Sequence, residues 1–190
     1  GSDPMTEGTV GAGTGATVAK LGGAERGVKG GIGSASMTLA TGQTIAAAVA
    51  VNAVGGIWDY TDGTLVAGPR RASGGFDDPV AMLISGTSDA PAGPVNTTIG
   101  LVATDAEITK EDANYLASVS HDGLALAIRP CHTVRDGDTM FAMATGHNKS
   151  RVDLTSLGAA AVEVTAQAVL RAVRQSTGLS GIPSISELPA

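Results

Sequence analysis

Aromatic side chains make up only 3% of the chain, a single residue is cysteine, and lysines and arginines cluster nowhere. Each scarcity excludes something. With so few rings, a core must be built from small aliphatic side chains on closely packed backbone. The glycine count agrees, since 27 of 190 residues is about twice the usual share of roughly 7%. Cys131 alone can form no intramolecular disulfide, thiolate metal cage or C-x-x-C redox pair, which fits a reducing cytoplasm. Twelve Lys and Arg against 18 Asp and Glu, a net charge of −6, leave no basic footprint for a phosphate backbone, so no nucleic-acid partner is expected. No apolar run is expected to reach the roughly 18 residues of a membrane span, and no basic and apolar leader is expected at the N-terminus.

A chain of 190 residues can bury a sizeable core. One domain over residues 5–190 is expected, with Gly1-Ser2-Asp3-Pro4 before Met5 reading as an expression scar. Residues 7–18 and 31–55 mix small residues, Thr/Ser and Val/Ile between glycines and read as strands with tight turns. Ile45 to Val54 would suit a helix by its alanines, but its β-branched residues and the closing Gly55-Gly56 favour a buried strand. Residues 57–97 carry repeated Pro and Gly and read as loop, with a strand candidate at Val80 to Ser85.

Thr98 to Ala103 is a continuous apolar run, the pattern of a central strand buried on both faces. Thr109 with Asp112 three residues on resembles a capping box before a helix that Gly123 weakens or splits. Thr139 to Thr145 reads as a strand. Leu154, Leu157, Ala161, Val164 and Ala168 recur at helical steps, with Asp153 as N-cap, which predicts a helix over 154–176. The order of strands, loop, strand, helix, strand, helix predicts an α+β or mixed α/β layered fold.

Chemistry concentrates at Asn96-Thr97-Thr98, between the Pro/Gly-rich loop Ser85 to Val95 and the apolar run. If the chain were cut before Thr97, the new α-amine would lie beside the Thr97 hydroxyl and could take its proton, so one residue would be both nucleophile and base. The plainer reading is ordinary turn-to-strand chemistry. Asp136-Gly137-Asp138 offers two carboxylates, or else a solvated turn. A calcium loop fails for lack of further oxygen ligands at the required spacing.

Gly11-Ala12-Gly13-Thr14-Gly15-Ala16 satisfies a dinucleotide fingerprint on paper but has no preceding strand and helical sequel. Cys131 and His132, adjacent in an extended segment, are expected to point apart, leaving Cys131 incidental to the Pro130 turn. His121 and His147 read as caps or surface groups. No cofactor and no metal are expected.

Several blocks occur in one order: Gly11 to Val18, Lys29-Gly30-Gly31-Ile32-Gly33-Ser34-Ala35-Ser36, Val49-Ala50-Val51-Asn52-Ala53, Asn96-Thr97-Thr98 with its apolar run, Ala103-Thr104-Asp105, His121-Asp122-Gly123-Leu124-Ala125, Ile128-Arg129-Pro130, Asp136 to Ala142 and Ala144-Thr145-Gly146. Over residues 7–178 the chain resembles the family of L-aminopeptidase/D-esterases, β-peptidyl aminopeptidases and endo-type nylon-oligomer hydrolases. The resemblance implies a four-layered αββα sandwich like that of N-terminal-nucleophile hydrolases, with a different strand connectivity. It also implies self-cleavage between Asn96 and Thr97 into 5–96 and 97–190, followed by hydrolysis of peptide or small amide substrates through an acyl-enzyme on Thr97. Thr98 is the competing nucleophile.

By the same resemblance Asn52 is the oxyanion donor, Asp136 and Asp138 are the orienting carboxylates, and Lys20 is the active-site lysine, with Lys29 its rival. Family members generally carry a further segment ahead of the first block, with an active-site tyrosine whose place neither Tyr60 nor Tyr115 takes. Association into a homo-oligomer, dimer or tetramer, is implied as well. The alternative reading is a truncated, catalytically silent homologue that persists as an oligomeric binding or assembly module.

Overall fold

The computed structural model describes residues 3–88 and 96–189. The Asp89–Val95 part of the Pro/Gly-rich loop, Gly1-Ser2 of the expected scar and Ala190 lie outside the described residues. In chain order the strands are β1 (Thr17–Val18), β2 (Val28–Lys29), β3 (Gly31–Thr38), β4 (Thr44–Val51), β5 (Gly56–Trp58), β6 (Leu65–Ala67), β7 (Ile99–Ala106), β8 (Ile128–Arg129) and β9 (Thr139–Asn148). The α-helices are α1 (Pro79–Ile84), α2 (Lys110–Ala127) and α3 (Leu154–Arg174).

The main sheet has the order β3-β4-β7-β9. β3 and β4 form an antiparallel hairpin, β4 pairs antiparallel with β7, and β7 pairs parallel with β9. A parallel pair needs a crossover, and α2 supplies it. Its N-terminus is the capping box expected from the sequence: the Thr109 hydroxyl accepts from the Asp112 amide while the Asp112 carboxylate accepts from Thr109.

Both long helices lie on one face of this sheet, and their apolar stripes make the core. Leu157, Ala161, Val164 and Ala168 of α3 are fully buried. Close approach replaces bulk. A Cβ on Gly33 would lie 2.2 Å from the Ala168 carbonyl oxygen, and one on Gly123 would lie 2.4 Å from that of Val162. Gly123 therefore sits in an unbroken α2 and lets it pack directly on α3, instead of splitting the helix. α3 does meet the length and, with a mean hydropathy of 1.2, the apolarity of a membrane span, contrary to the expectation that no segment would. Its apolar window is 67% buried inside the fold, as a core helix requires.

Among the described residues, the opposite face of the sheet is uncovered at its β7–β9 side, where Ile99, Phe141 and Met143 are 52%, 56% and 49% exposed. β7 thus alternates between a buried and a more open face, so the expectation of burial on both faces fails for this chain. The α+β class is found, with a helical layer on a sheet.

Two local readings are corrected. Val80 to Ser85 is not a strand: Asp78 caps α1 by accepting from the Val80 and Ala81 amides, and Pro79 sits at the first helical position, where its missing N–H costs nothing. Residues 7–18 hold only the two-residue β1, after a single 3-10 turn at Gly11–Gly13. That turn rules out the strand-then-helix context of a dinucleotide fingerprint.

Candidate active site

Sheet topology brings three distant segments to one place. β4 and β7 run antiparallel with Ala50 opposite Ile99, so Asn52, just past the end of β4, lies across from Thr97, just before β7. β9 runs parallel to β7 with Thr139 beside Ile99, so Asp136-Gly137-Asp138 falls next to Asn96-Thr97-Thr98. Backbone bonds complete the register: Thr97 N–H donates to the Asn52 carbonyl at 2.9 Å, Gly137 N–H to the Asn96 carbonyl at 2.9 Å, and Thr139 N–H to the Thr98 carbonyl at 2.9 Å.

The Thr97 hydroxyl donates to the Asn96 carbonyl oxygen from 2.6 Å. That oxygen therefore faces two donors, the Gly137 amide and the Thr97 hydroxyl. Gly137 is needed for this approach, because a Cβ there would stand 2.8 Å from Thr97 Oγ1. Thr98, the competing nucleophile, is fully buried, so its hydroxyl has no access to substrate. Thr97 instead opens on a cleft of about 590 Å³ that Asn52, Ala16, Ile32, Leu101 and Phe141 also line.

Asn52 is held from behind. Its Oδ1 accepts from Lys20 Nζ at 2.8 Å and from the Thr17 amide at 3.1 Å. The other end of the side chain is an NH₂, a donor only. Lys20 is 5% exposed, and its backbone N–H donates to the Val54 carbonyl. Burial lowers its pKa from 10.5 to about 8, against the opposing pull of the Asp136 carboxylate. Lys29, the rival lysine, turns away from this group and donates to the carbonyls of Thr14 and Ala16 at 2.8 Å.

The two aspartates differ. Asp136 accepts from the Val54 amide at 3.2 Å and from the hydroxyl of Thr133 at 2.5 Å, which ties the loop to the end of β4. Asp138, its side chain 2% exposed, accepts from the Thr98 amide through Oδ1 at 2.9 Å. Its Oδ2 faces Cys131 Sγ at 3.4 Å and His132 Nδ1 at 3.1 Å.

The expectation that Cys131 and His132 point apart is therefore wrong. His132 has a left-handed backbone, φ 55°, so the segment is not extended and both side chains reach one carboxylate. His121 of α2 lies next to it, with its Nδ1 3.3 Å from His132 Nε2. His147 is exposed on β9. Gly137 is the residue that sequence reasoning passed over, and its signal was its place between two aspartates.

The sequence matches peptidase family S58 over residues 1–184. The chain belongs to this family. An uncharacterized aminopeptidase of Mycobacterium leprae is 38% identical over 93% of the chain and 51% of its own length. A 6-aminohexanoate-oligomer endohydrolase of Agromyces is 36% identical over 67% of the chain and 40% of its own length. Among solved structures, a Burkholderia β-aminopeptidase superposes with a TM-score of 0.63 at 26% identity, covering 93% of this chain and 49% of that one. The L-aminopeptidase D-Ala-esterase/amidase of Ochrobactrum anthropi, described as a variant of the Ntn-hydrolase fold, gives 0.60 at 22% identity, a likeness of fold. The chain thus spans about half the length of the relatives it matches.

Proposed function

We propose that the chain is the nucleophile-bearing part of a self-processing amide hydrolase in which Thr97 first cuts its own backbone and then attacks substrate amides. The observation that carries this reading is the Asn96 carbonyl, which already has the Thr97 hydroxyl in contact at 2.6 Å and the Gly137 amide donating at 2.9 Å. Attack by Thr97 Oγ1 on the Asn96 carbonyl carbon places negative charge on that oxygen. The Gly137 N–H is preorganised to stabilise it.

The steps follow from the residues present. Thr97 Oγ1 loses its proton as it bonds to the Asn96 carbon; the Asn96–Thr97 C–N bond breaks and the Thr97 nitrogen gains a proton, leaving an ester. Lys20, whose Nζ meets Asn52 across from Thr97, supports the first proton transfer, since burial lowers its pKa to about 8 and so leaves a neutral, proton-accepting fraction that grows above that pH. Water then hydrolyses the ester and releases Thr97 with a free amine. In the second phase that amine takes the hydroxyl proton as Oγ1 bonds to the substrate carbonyl carbon, Asn52 donates an N–H to the new oxyanion, and the substrate C–N bond breaks as the Thr97 ammonium passes the proton to the leaving amine, giving an acyl-enzyme ester. A second water frees the acid.

Asp138 acts through the backbone, holding the Thr98 amide and so the orientation of Thr97. Asp136 supports the same region by electrostatic contact with Lys20. The likeness to aminopeptidases and to a 6-aminohexanoate-oligomer endohydrolase supports peptides and small linear amides as the substrates. The lone cysteine supports a reducing, cytoplasmic setting. The test is Thr97→Ala: the parent chain separates into two pieces under denaturing conditions, and the variant stays whole.

One observation favours a second reading. The apolar face of Ile99, Phe141 and Met143 suits burial against another copy, as in a catalytically silent assembly module. Both readings accommodate a homo-oligomer, so association does not separate them. Cleavage does, because the silent module stays uncut.

A further inference from the structure

Behind the Thr97 cleft, three unlike donor atoms meet. Cys131 Sγ, His132 Nδ1 and Asp138 Oδ2 all lie within 4.8 Å of one another. Sγ stands 3.4 Å from Oδ2, and Nδ1 stands 3.1 Å from it. Around a tetrahedral Zn²⁺, with Zn–S about 2.3 Å and Zn–N or Zn–O about 2.0–2.1 Å, neighbouring ligand atoms are about 3.3–3.6 Å apart. Two of the three edges are near that length already.

Hydrogen bonding alone accounts poorly for the cluster. The His132 amide also donates to Asp138 Oδ2, at 3.2 Å, so three groups crowd one carboxylate oxygen that offers about two lone-pair directions. The third of them, a thiol, is a weak donor.

The surroundings match those of metal ligands. A ligating histidine ordinarily donates its second ring N–H to a fixed partner that sets tautomer and orientation. His132 uses Nδ1 toward the cluster, and its Nε2 lies 3.3 Å from His121 Nδ1, with the two rings 4.8 Å apart and tilted by 58°. The left-handed backbone at His132 turns an adjacent Cys and His to the same side. The His132 side chain is 37% exposed, so the cluster is in contact with solvent on that side.

We propose that Cys131, His132 and Asp138 bind one divalent cation of the zinc class through Sγ, Nδ1 and Oδ2, with His121 orienting His132 and a water in the fourth position. The Cys131 thiol gives its proton to solvent as the sulfur–metal bond forms, while the carboxylate and the neutral imidazole each donate a lone pair. A thiolate and an imidazole select against Mg²⁺ and Ca²⁺. The amide chemistry of Thr97 does not need this cation. Because the other oxygen of Asp138 holds the Thr98 amide, occupancy is expected to slow Thr97 cleavage, a consequence that rests on the function proposed above.

The test is independent of that function. The reduced, chelator-treated full chain is titrated with Co²⁺ and followed by absorption. The expected result is a thiolate-to-cobalt charge-transfer band in the near ultraviolet with tetrahedral d–d bands, saturating at one ion per chain and displaced by Zn²⁺. Cys131→Ser should lose the charge-transfer band, and His121→Gln should weaken Co²⁺ affinity about 10-fold. His132→Ala, at an exposed position, repeats the test if the serine variant does not fold. Absence of the charge-transfer band in the parent chain, or unchanged affinity in Cys131→Ser or His132→Ala, overturns the proposal.

Discussion

The Gly137 amide donates to the carbonyl oxygen of Asn96 at 2.9 Å, so the loop before β9 holds the peptide bond that precedes Thr97. The hydroxyl of Thr97 reaches the same oxygen. Gly137→Ala puts a methyl 2.8 Å from Thr97 Oγ1 without demanding a forbidden backbone, so the fold should persist while donor and nucleophile are pushed apart. Cleavage should slow on the order of 100-fold, the usual cost of an oxyanion donor. A gel time course after rapid purification reads this directly.

Lys20 sets a pH signature. Burial lowers its pKa to about 8, so it is charged below that value and neutral above it. Cleavage should therefore speed up as pH rises through about 8 and level off beyond, and Lys20→Met should lose this limb. Asn52→Asp places a carboxylate where Lys20 now meets an amide oxygen, which favours the charged lysine and moves the limb to higher pH. Rates measured from pH 6 to 10 in each variant distinguish these outcomes.

Stability should carry the same group with its own sign. Between pH about 8 and the ordinary 10.5 the unfolded chain binds more protons at Lys20 than the folded chain does. Stability from this site therefore rises with pH across that window. Urea midpoints of a Thr97→Ala background should climb there, and the added Lys20→Met change should flatten the climb.

Much of this arrangement was legible beforehand, for stated reasons. β-branched residues decided Ile45 to Val54 against its alanines, and the Thr109/Asp112 pair marked the start of α2. What stayed hidden depended on contacts remote in sequence or on single backbone angles. Val80 to Ser85 looked like a strand because its apolar run is too short to show a period, and the Asp78-Pro79 helix start outweighs it. Cys131 and His132 meet Asp138 only because His132 is left-handed, which composition does not reveal. Gly123 looked like a helix breaker because the pattern of one helix says nothing about what packs on it.

That last point is testable alone. A Cβ at Gly123 would sit 2.4 Å from the Val162 carbonyl, a backbone atom that cannot swing aside. Gly123→Ala should destabilise the fold by about 1–3 kcal/mol, although alanine is the better helix former in isolation. A lowered denaturant midpoint with an unchanged slope checks it.

The central claim is that Thr97 becomes an N-terminus. Intact mass under denaturing conditions tests it most directly on this 18.7 kDa chain. The account predicts two species whose masses sum to the chain plus one water, the second beginning at Thr97, and a single species for Thr97→Ala. A lone uncut chain in the parent after prolonged incubation at pH above 8 would contradict it.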